Sequence, residues 1–261
     1  MEVTQDEYTV AKQQLRELHI KINLLNYNFQ TVDELSGVVL PNSTYSISST
    51  SDIRRTCNIS LVPVDLSFDI ANGNKIWIDK YIQIYIGIKN ILTNEIIYTN
   101  MGIYMVDNPS RVYDPTNNTM TIQGVDLMAK MTGLRNGNLE GMSYIIPSGY
   151  NVRKAIISAI SLAGFTNYVV DECPYTVPNQ IEIKSGGTIY DILTALKEIT
   201  AEQYEMYFDV DGVFHYNKIP DGVNDQVVVD GDIWQNVLID YNVSTSFDNV
   251  KNHIEVYGKI S

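Results

Sequence analysis

Between residues 74 and 133 apolar and polar side chains alternate with period two, the repeat of a β-strand whose faces see different surroundings. The clearest run is 81–89. Ile82, Ile84, Ile86 and Ile88 fall on one face, and Tyr81, Gln83, Tyr85, Gly87 and Lys89 on the other. One apolar face and one mostly polar face predict the wall of a barrel or sandwich.

Other strands are predicted at 20–26, 34–39, 54–62, 95–106 and 118–126, with the long run extended to 75–89. Turn-forming residues at 90–94 and 114–118 separate the pairs, so the strands form sequential antiparallel hairpins. Before them, Tyr8, Ala11, Leu15 and Leu18 make one narrow stripe of a helix over 5–19. After Pro147 the period changes to that of a helix. Val152, Ala155, Ile156, Ala159, Ile160 and Ala163 share one face, with Asn151 placed to cap the start and Gly164 to stop the end. A second helix at 189–199 is opened by a capping pair, Thr188 and Asp191, and buries Ile189, Ile192, Leu193 and Leu196. A strand at 180–184 lies between the helices, and a hairpin at 206–216 turns at Asp211 and Gly212. Strands return at 236–245 and 252–257. This order predicts a mainly β fold with an α+β insertion: an N-terminal arm (1–19), a β-barrel (20–139), a small α+β domain (140–235), and returning strands (236–261) that complete the barrel.

Composition narrows the function. The 261 residues carry 31 acidic and 18 basic side chains, a formal net charge of −13. Affinity for nucleic-acid phosphates comes mainly from Lys and Arg, so this balance disfavours DNA binding and suits a surface that DNA slides past. Cys57 and Cys173 lie far apart and outside any CxxC pattern, which favours two buried thiols in a reducing compartment, with one disulfide as the alternative. The acidic N-terminus lacks an apolar core, and no run approaches the ~18 apolar residues of a spanning helix. A soluble chain made in the cytoplasm is expected.

Motifs for catalysis, metals or cofactors are not found. Asp209 and Asp211 suggest a calcium loop, but strand-like residues flank them and no closing Glu follows, so they predict a turn. His19, His215 and His253 are scattered without i, i+4 pairing, and His215 is expected on a sheet surface. No G-x-S-x-G elbow is present; Ser148 and Ser185 sit where helices begin. Gly186, Gly187 and Thr188 lack the P-loop lysine and serve as a helix cap. Asp107, Asp114 and Glu140 show no spacing that marks a catalytic pair. The 18 tyrosines suit subunit interfaces or carbohydrate surfaces.

Six strings carry a resemblance: DIRRTCNIS (52–60), KIWIDKYIQIY (75–85), GIYMV (102–106), QGVDLMAKMTGLR (123–135), FDVDGVFHY (208–216) and NHIEVYG (252–258). Together they resemble phage tail hub proteins, nearest to tail proteins of phages and prophages of low-GC Gram-positive bacteria. More distantly they resemble the late-control-protein-D and baseplate-hub group. The resemblance implies a tail-tube-like antiparallel barrel in a homotrimeric ring at the distal tail end, assembled in the bacterial cytoplasm and located at the virion tail tip. It implies as partners the tail tube or distal tail protein, the tape-measure protein and a spike or fibre, with DNA passing unbound. That family carries two barrels per subunit, and Ser261 falls about where a second would begin. In this setting Tyr81, Gln83, Tyr85 and Lys89 are the candidate subunit-interface or channel face. The rival expectation is a cell-wall carbohydrate-binding module at the tail tip.

Overall fold

The computed structural model describes residues 4–220, apart from 36–37, 115, 142 and 201–202. The strands expected at 236–245 and 252–257, and the last part of the expected α+β domain, lie outside the described residues. An N-terminal helix, α1 (Gln5–Ala11), precedes seven strands: β1 (Leu18–Leu25), β2 (Thr31–Glu34), β3 (Thr44–Ile47), β4 (Arg55–Leu61), β5 (Tyr81–Lys89), β6 (Ile96–Asp114) and β7 (Asn117–Val125). They form one sheet in the order β2-β1-β5-β6-β7-β4-β3, and the pairings are antiparallel. The fold is mainly β, as the alternation predicted.

The geometry of this sheet follows from β6. It runs for 19 residues, more than any neighbour can pair along. Its first half, Ile96–Met105, pairs with β5, and its second half, from Met105 on, pairs with β7. Register shifts opposite Ile84/Tyr85 and between Asp107 and Ser110 bend the strand, the latter at Asn108 with φ 36°. The two halves therefore fold toward each other. Ile22 and Leu24 of β1, Ile82 and Ile84 of β5, Tyr104 of β6, Met120 of β7 and Ile59 of β4 share one core. Among the described residues the strand order is linear, with β2 and β3 at its two ends.

The C-terminal elements pack on the other face. They are β8 (Tyr144–Ile146), α2 (Val152–Leu162), β9 (Tyr168–Val170), β10 (Ile181–Ile183), α3 (Ile189–Ile199), β11 (Tyr204–Phe208) and β12 (Phe214–Lys218). Asn151 Oδ1 accepts from Lys154 N, and Thr188 and Asp191 cap α3 reciprocally, as their residue types predicted. Ile156, Ile160, Ile192 and Leu196 are buried between the helices and the sheet. Each stabilises by about 1.5–3 kcal/mol relative to exposure. Tyr81, Ile103 and Met105 from the barrel's outward side join this second core.

Several boundaries differ from the sequence expectation. The helix expected over 5–19 stops at Ala11, because the Gln13 side chain turns aside to bind Lys89 O (3.0 Å) and Ile91 N (2.9 Å), and Leu18 opens β1. The run expected as strand from 75 begins at Tyr81. Ile76 is fully buried while Ile78 is exposed, and Lys80 N donates to Trp77 O in a turn, so the alternation there is coincidental. The strand expected over 34–39 lies instead at Thr31–Glu34.

A buried charge joins the two layers. Arg55, at the start of β4, is 5% exposed, and its Nη2 donates to Phe208 O (2.9 Å) and Asp209 O (2.6 Å) beyond the sheet. Its backbone N–H donates to Asp126 Oδ2 (3.0 Å), whose Oδ1 caps Met128 N (2.9 Å). Burial raises the pKa of Asp126, while these N–H donors and the nearby guanidinium oppose the rise. Gly102 leaves space for Arg55: a Cβ there would lie 2.6 Å from Nη1, at φ +118°. Replacing Arg55 by Met orphans two carbonyls, and Gly102→Ala displaces the guanidinium. Each is expected to cost about 2–4 kcal/mol in chemical denaturation; a cost below about 0.5 kcal/mol would contradict this role. Burial also pushes the Cys57 thiol up to about 12. Iodoacetamide at pH 8 should therefore leave Cys57 unmodified until denaturant is added, and equal labelling of folded and unfolded protein would contradict the packing.

Candidate assembly surfaces

The face opposite the isoleucines is divided among three environments. Tyr81 is 7% exposed; Phe29 packs edge-on against its ring at 5.0 Å, and Lys130 Nζ lies 3.3 Å from its hydroxyl. It belongs to the core beneath the α+β layer and is withdrawn from the candidate face. Gln83 and Tyr85 are half-buried. Burial raises the pKa of Tyr85, Asp211 adds to the rise, and a hydrogen bond with Gln83 opposes it. Lys21 Nζ lies over the rings of Tyr85 (5.7 Å) and Tyr98 (5.9 Å), which ties β1, β5 and β6 together on this side. Lys89 pairs with Glu17 at 3.4 Å, a bond that lowers the Glu17 pKa. Gln83, Tyr85 and Lys89 thus keep part of their surface, beside the chain's own hairpin and arm.

The sheet edges are a more open surface, and alternation alone did not reveal them. β2 and β3 have four residues each. On β2, Asp33 and Glu34 put charge on the edge, and Asp33 pairs with Lys75 at 2.6 Å. β3 reads Thr-Tyr-Ser-Ile, is exposed throughout and has no charge to discourage another strand. Its inner side, with Ile20, Ile59, Ile84 and Ile86, lines an apolar slot of about 70 Å3 that leads into the barrel core.

A larger cleft, about 620 Å3, lies where the barrel, α1 and the β11–β12 turn meet. Arg54, Tyr207, Asp209 and His215 contribute to its walls. His215 is part-buried against Asp209 (Nε2 to Oδ2, 3.0 Å) and stacked on Tyr207 at 5.1 Å, a more enclosed place than the sheet surface expected of it. Asp209 also accepts Asp211 N and Val213 N at 2.9 Å, and Gly212 turns at φ +78°. The turn is the hairpin that Asp-Gly predicted. Arg54 pairs with Glu205 at 3.0 Å and covers the Tyr207 ring. These polar groups are engaged with one another in holding the hairpin on the barrel. Among the described residues, no three His, Cys, Asp or Glu side chains gather as a metal site. Among the described residues the most exposed tyrosines are Tyr27, in a turn, and Tyr113, on β6.

No protein-family model and no curated protein matches the chain. Solved structures do. The chain is similar to the 43 kDa tail protein of prophage MuSo2 from Shewanella oneidensis, at 13% identity and a TM-score of 0.51, over 79% of this chain and 56% of that one. A tail protein from Neisseria meningitidis MC58 aligns at 12% identity and a TM-score of 0.48, over 76% of this chain and 50% of that one. A Francisella PdpA–VgrG complex aligns at 15% identity and a TM-score of 0.46, over 88% of this chain and 31% of its counterpart. The chain spans about half the length of the two tail proteins. What it shares with the MuSo2 protein is the fold: an antiparallel, mainly β architecture with a small helical insertion.

Proposed function

We propose that this chain is a structural component of a phage or phage-like tail. In this reading three copies form the hub ring at the distal end, joining the tail tube to the baseplate, spike or fibre. The observation that carries the reading is the curved antiparallel sheet, with a fold similar to a prophage tail protein and, among the described residues, strand edges without a hydrogen-bonded neighbour. A protein that works by joining others needs edges and faces; a catalytic cleft is secondary to it.

The partners proposed are further copies of the chain, the tail tube or distal tail protein, the tape-measure protein and a spike or fibre. Gln83, Tyr85 and Lys89 are proposed to meet a neighbour or line the channel beside the edges. The net charge of −13 supports a lumen that DNA crosses without sticking. The role is mechanical and non-enzymatic, at the virion tail tip after assembly in the host cytoplasm.

Two measurements test this together. Native mass spectrometry of the purified chain should give three times the 29.5 kDa of one copy, and peptides of the chain should be found in purified tails. A strictly monomeric protein that is missing from purified tails would contradict the proposal.

A further inference from the structure

β3 is a weakly secured strand. It has four residues, all exposed, and among the described residues it pairs with β4 alone. A strand so short, paired on one side and without burial, frays readily, so what holds its ends decides where it stands. At its start the Ser43 hydroxyl donates to Leu40 O (2.8 Å) and accepts from Ser60 N (3.0 Å), bonds made within the barrel. At its other end Ile47 pairs with Arg55, and Ser48 N donates to Arg54 O (2.8 Å), which closes the turn into β4.

That turn is gripped from outside the barrel. Four consecutive residues, 52–55, each meet the α+β layer. The Asp52 carboxylate accepts from the Tyr190 hydroxyl of α3 at 2.7 Å. Ile53 packs against the second core. Arg54 pairs with Glu205 of β11 at 3.0 Å, and Arg55 reaches the carbonyls of Phe208 and Asp209. The polar partners lie 138–154 positions later in the chain, so this grip exists only while the layer is seated on the sheet.

The contacts are unequal. Arg55 is buried, and β4 is paired with β7 from Thr56 to Leu61, so the root of β4 stays in place throughout the folded state. The Asp52–Tyr190 bond is exposed, and Arg54 and Glu205 keep part of their surface. Such bonds add little to global stability, yet they suffice to bias a marginal strand between held and frayed. β3 matters beyond its own length, because Thr44 and Tyr45 wall the apolar slot together with Ile20, Ile59, Ile84 and Ile86.

We infer that the α+β layer is a latch on the β3–β4 turn. With the layer seated, residues 52–54 are held and β3 stands as a wall of the slot. With those surface bonds released, β3 frays from its Ile47 end and the slot opens. A displacement of α3 or β11 is thereby passed to the barrel's end strand through the turn. The inference does not depend on the ring proposed above.

Hydrogen–deuterium exchange on the full chain tests it. Tyr190→Phe combined with Glu205→Ala removes both surface bonds from the layer's side and leaves every residue of the turn in place. The amides of β3 and Ser48 should then exchange about tenfold faster. Amides of β1, β5 and α2 should exchange as in the unsubstituted chain, which verifies that the fold is intact. Tyr175→Phe is the control: its hydroxyl donates to Gln203 within the α+β layer (3.0 Å), so its loss should leave β3 unchanged. A rise at β3 of less than about twofold in the double variant would overturn the latch. An equal rise with Tyr175→Phe, or a rise spread evenly over the sheet, would overturn it as well. So would β3 amides that already exchange in the unsubstituted chain as fast as those of a free peptide.

Discussion

Arg55 leaves the barrel strand β4 with its guanidinium directed across the sheet at the end of β11, where it donates to the carbonyls of Phe208 and Asp209. Taking a cation out of water costs several kcal/mol unless its donors are used, so this arrangement tolerates little displacement. The same residue's backbone is held by Asp126, which in turn starts the short helix Leu127–Lys130 at the base of the second core. Gly102 clears the path. One buried group thereby fixes the register between a curved sheet and the α+β layer on its outward side. The cleft at that junction follows as the space left beside the joint, its polar walls used up in pairs.

The second constraint is the length of β6. A strand paired by two neighbours over different halves has to bend, and its bulges place the bend within the strand. The bend brings β3 and β1 to a common apolar slot without hydrogen-bonding them. Most soluble β proteins guard such edges with charge, proline or closure. Among the described residues, Asp33 and Glu34 put charge on β2, whereas β3 carries none. An unguarded edge is a hazard for a solitary protein and an asset for one meant to have neighbours.

Elements with a long, regular period were legible from residues alone. α2 and α3 have capping residues at the right offsets and uninterrupted apolar faces, so local and tertiary preferences agree. The isoleucine stripe of β5 gave its inward face, with Ile82 and Ile84 buried. Ile86 is only half-buried, because it borders the slot between the edges. β3 was missed because Thr-Tyr-Ser-Ile, set among serines and threonines, looks like a loop; its strand character comes from pairing with β4. β8 and β9, at three residues each, are too short to show a period. The strand expected at 95–106 runs on to Asp114, because Asn108 and Pro109 form a bulge through which the strand continues. The polar face of β5 was separated from the apolar one, yet sequence could not say that Phe29 and Lys130 would pack on Tyr81 and draw it into the second core. Phe29 lies 52 positions before Tyr81 and Lys130 49 positions after it, beyond the reach of any local pattern.

The central claim is that this barrel serves as one segment of an annular joint. The most direct measurement is an electron-microscopy reconstruction of the assembled tail in which this chain is located. The account predicts copies of the chain arranged as a closed ring around the tail axis, with edge strands or strand ends against neighbours. A particle in which the chain is peripheral, solitary or missing from the axis would contradict it.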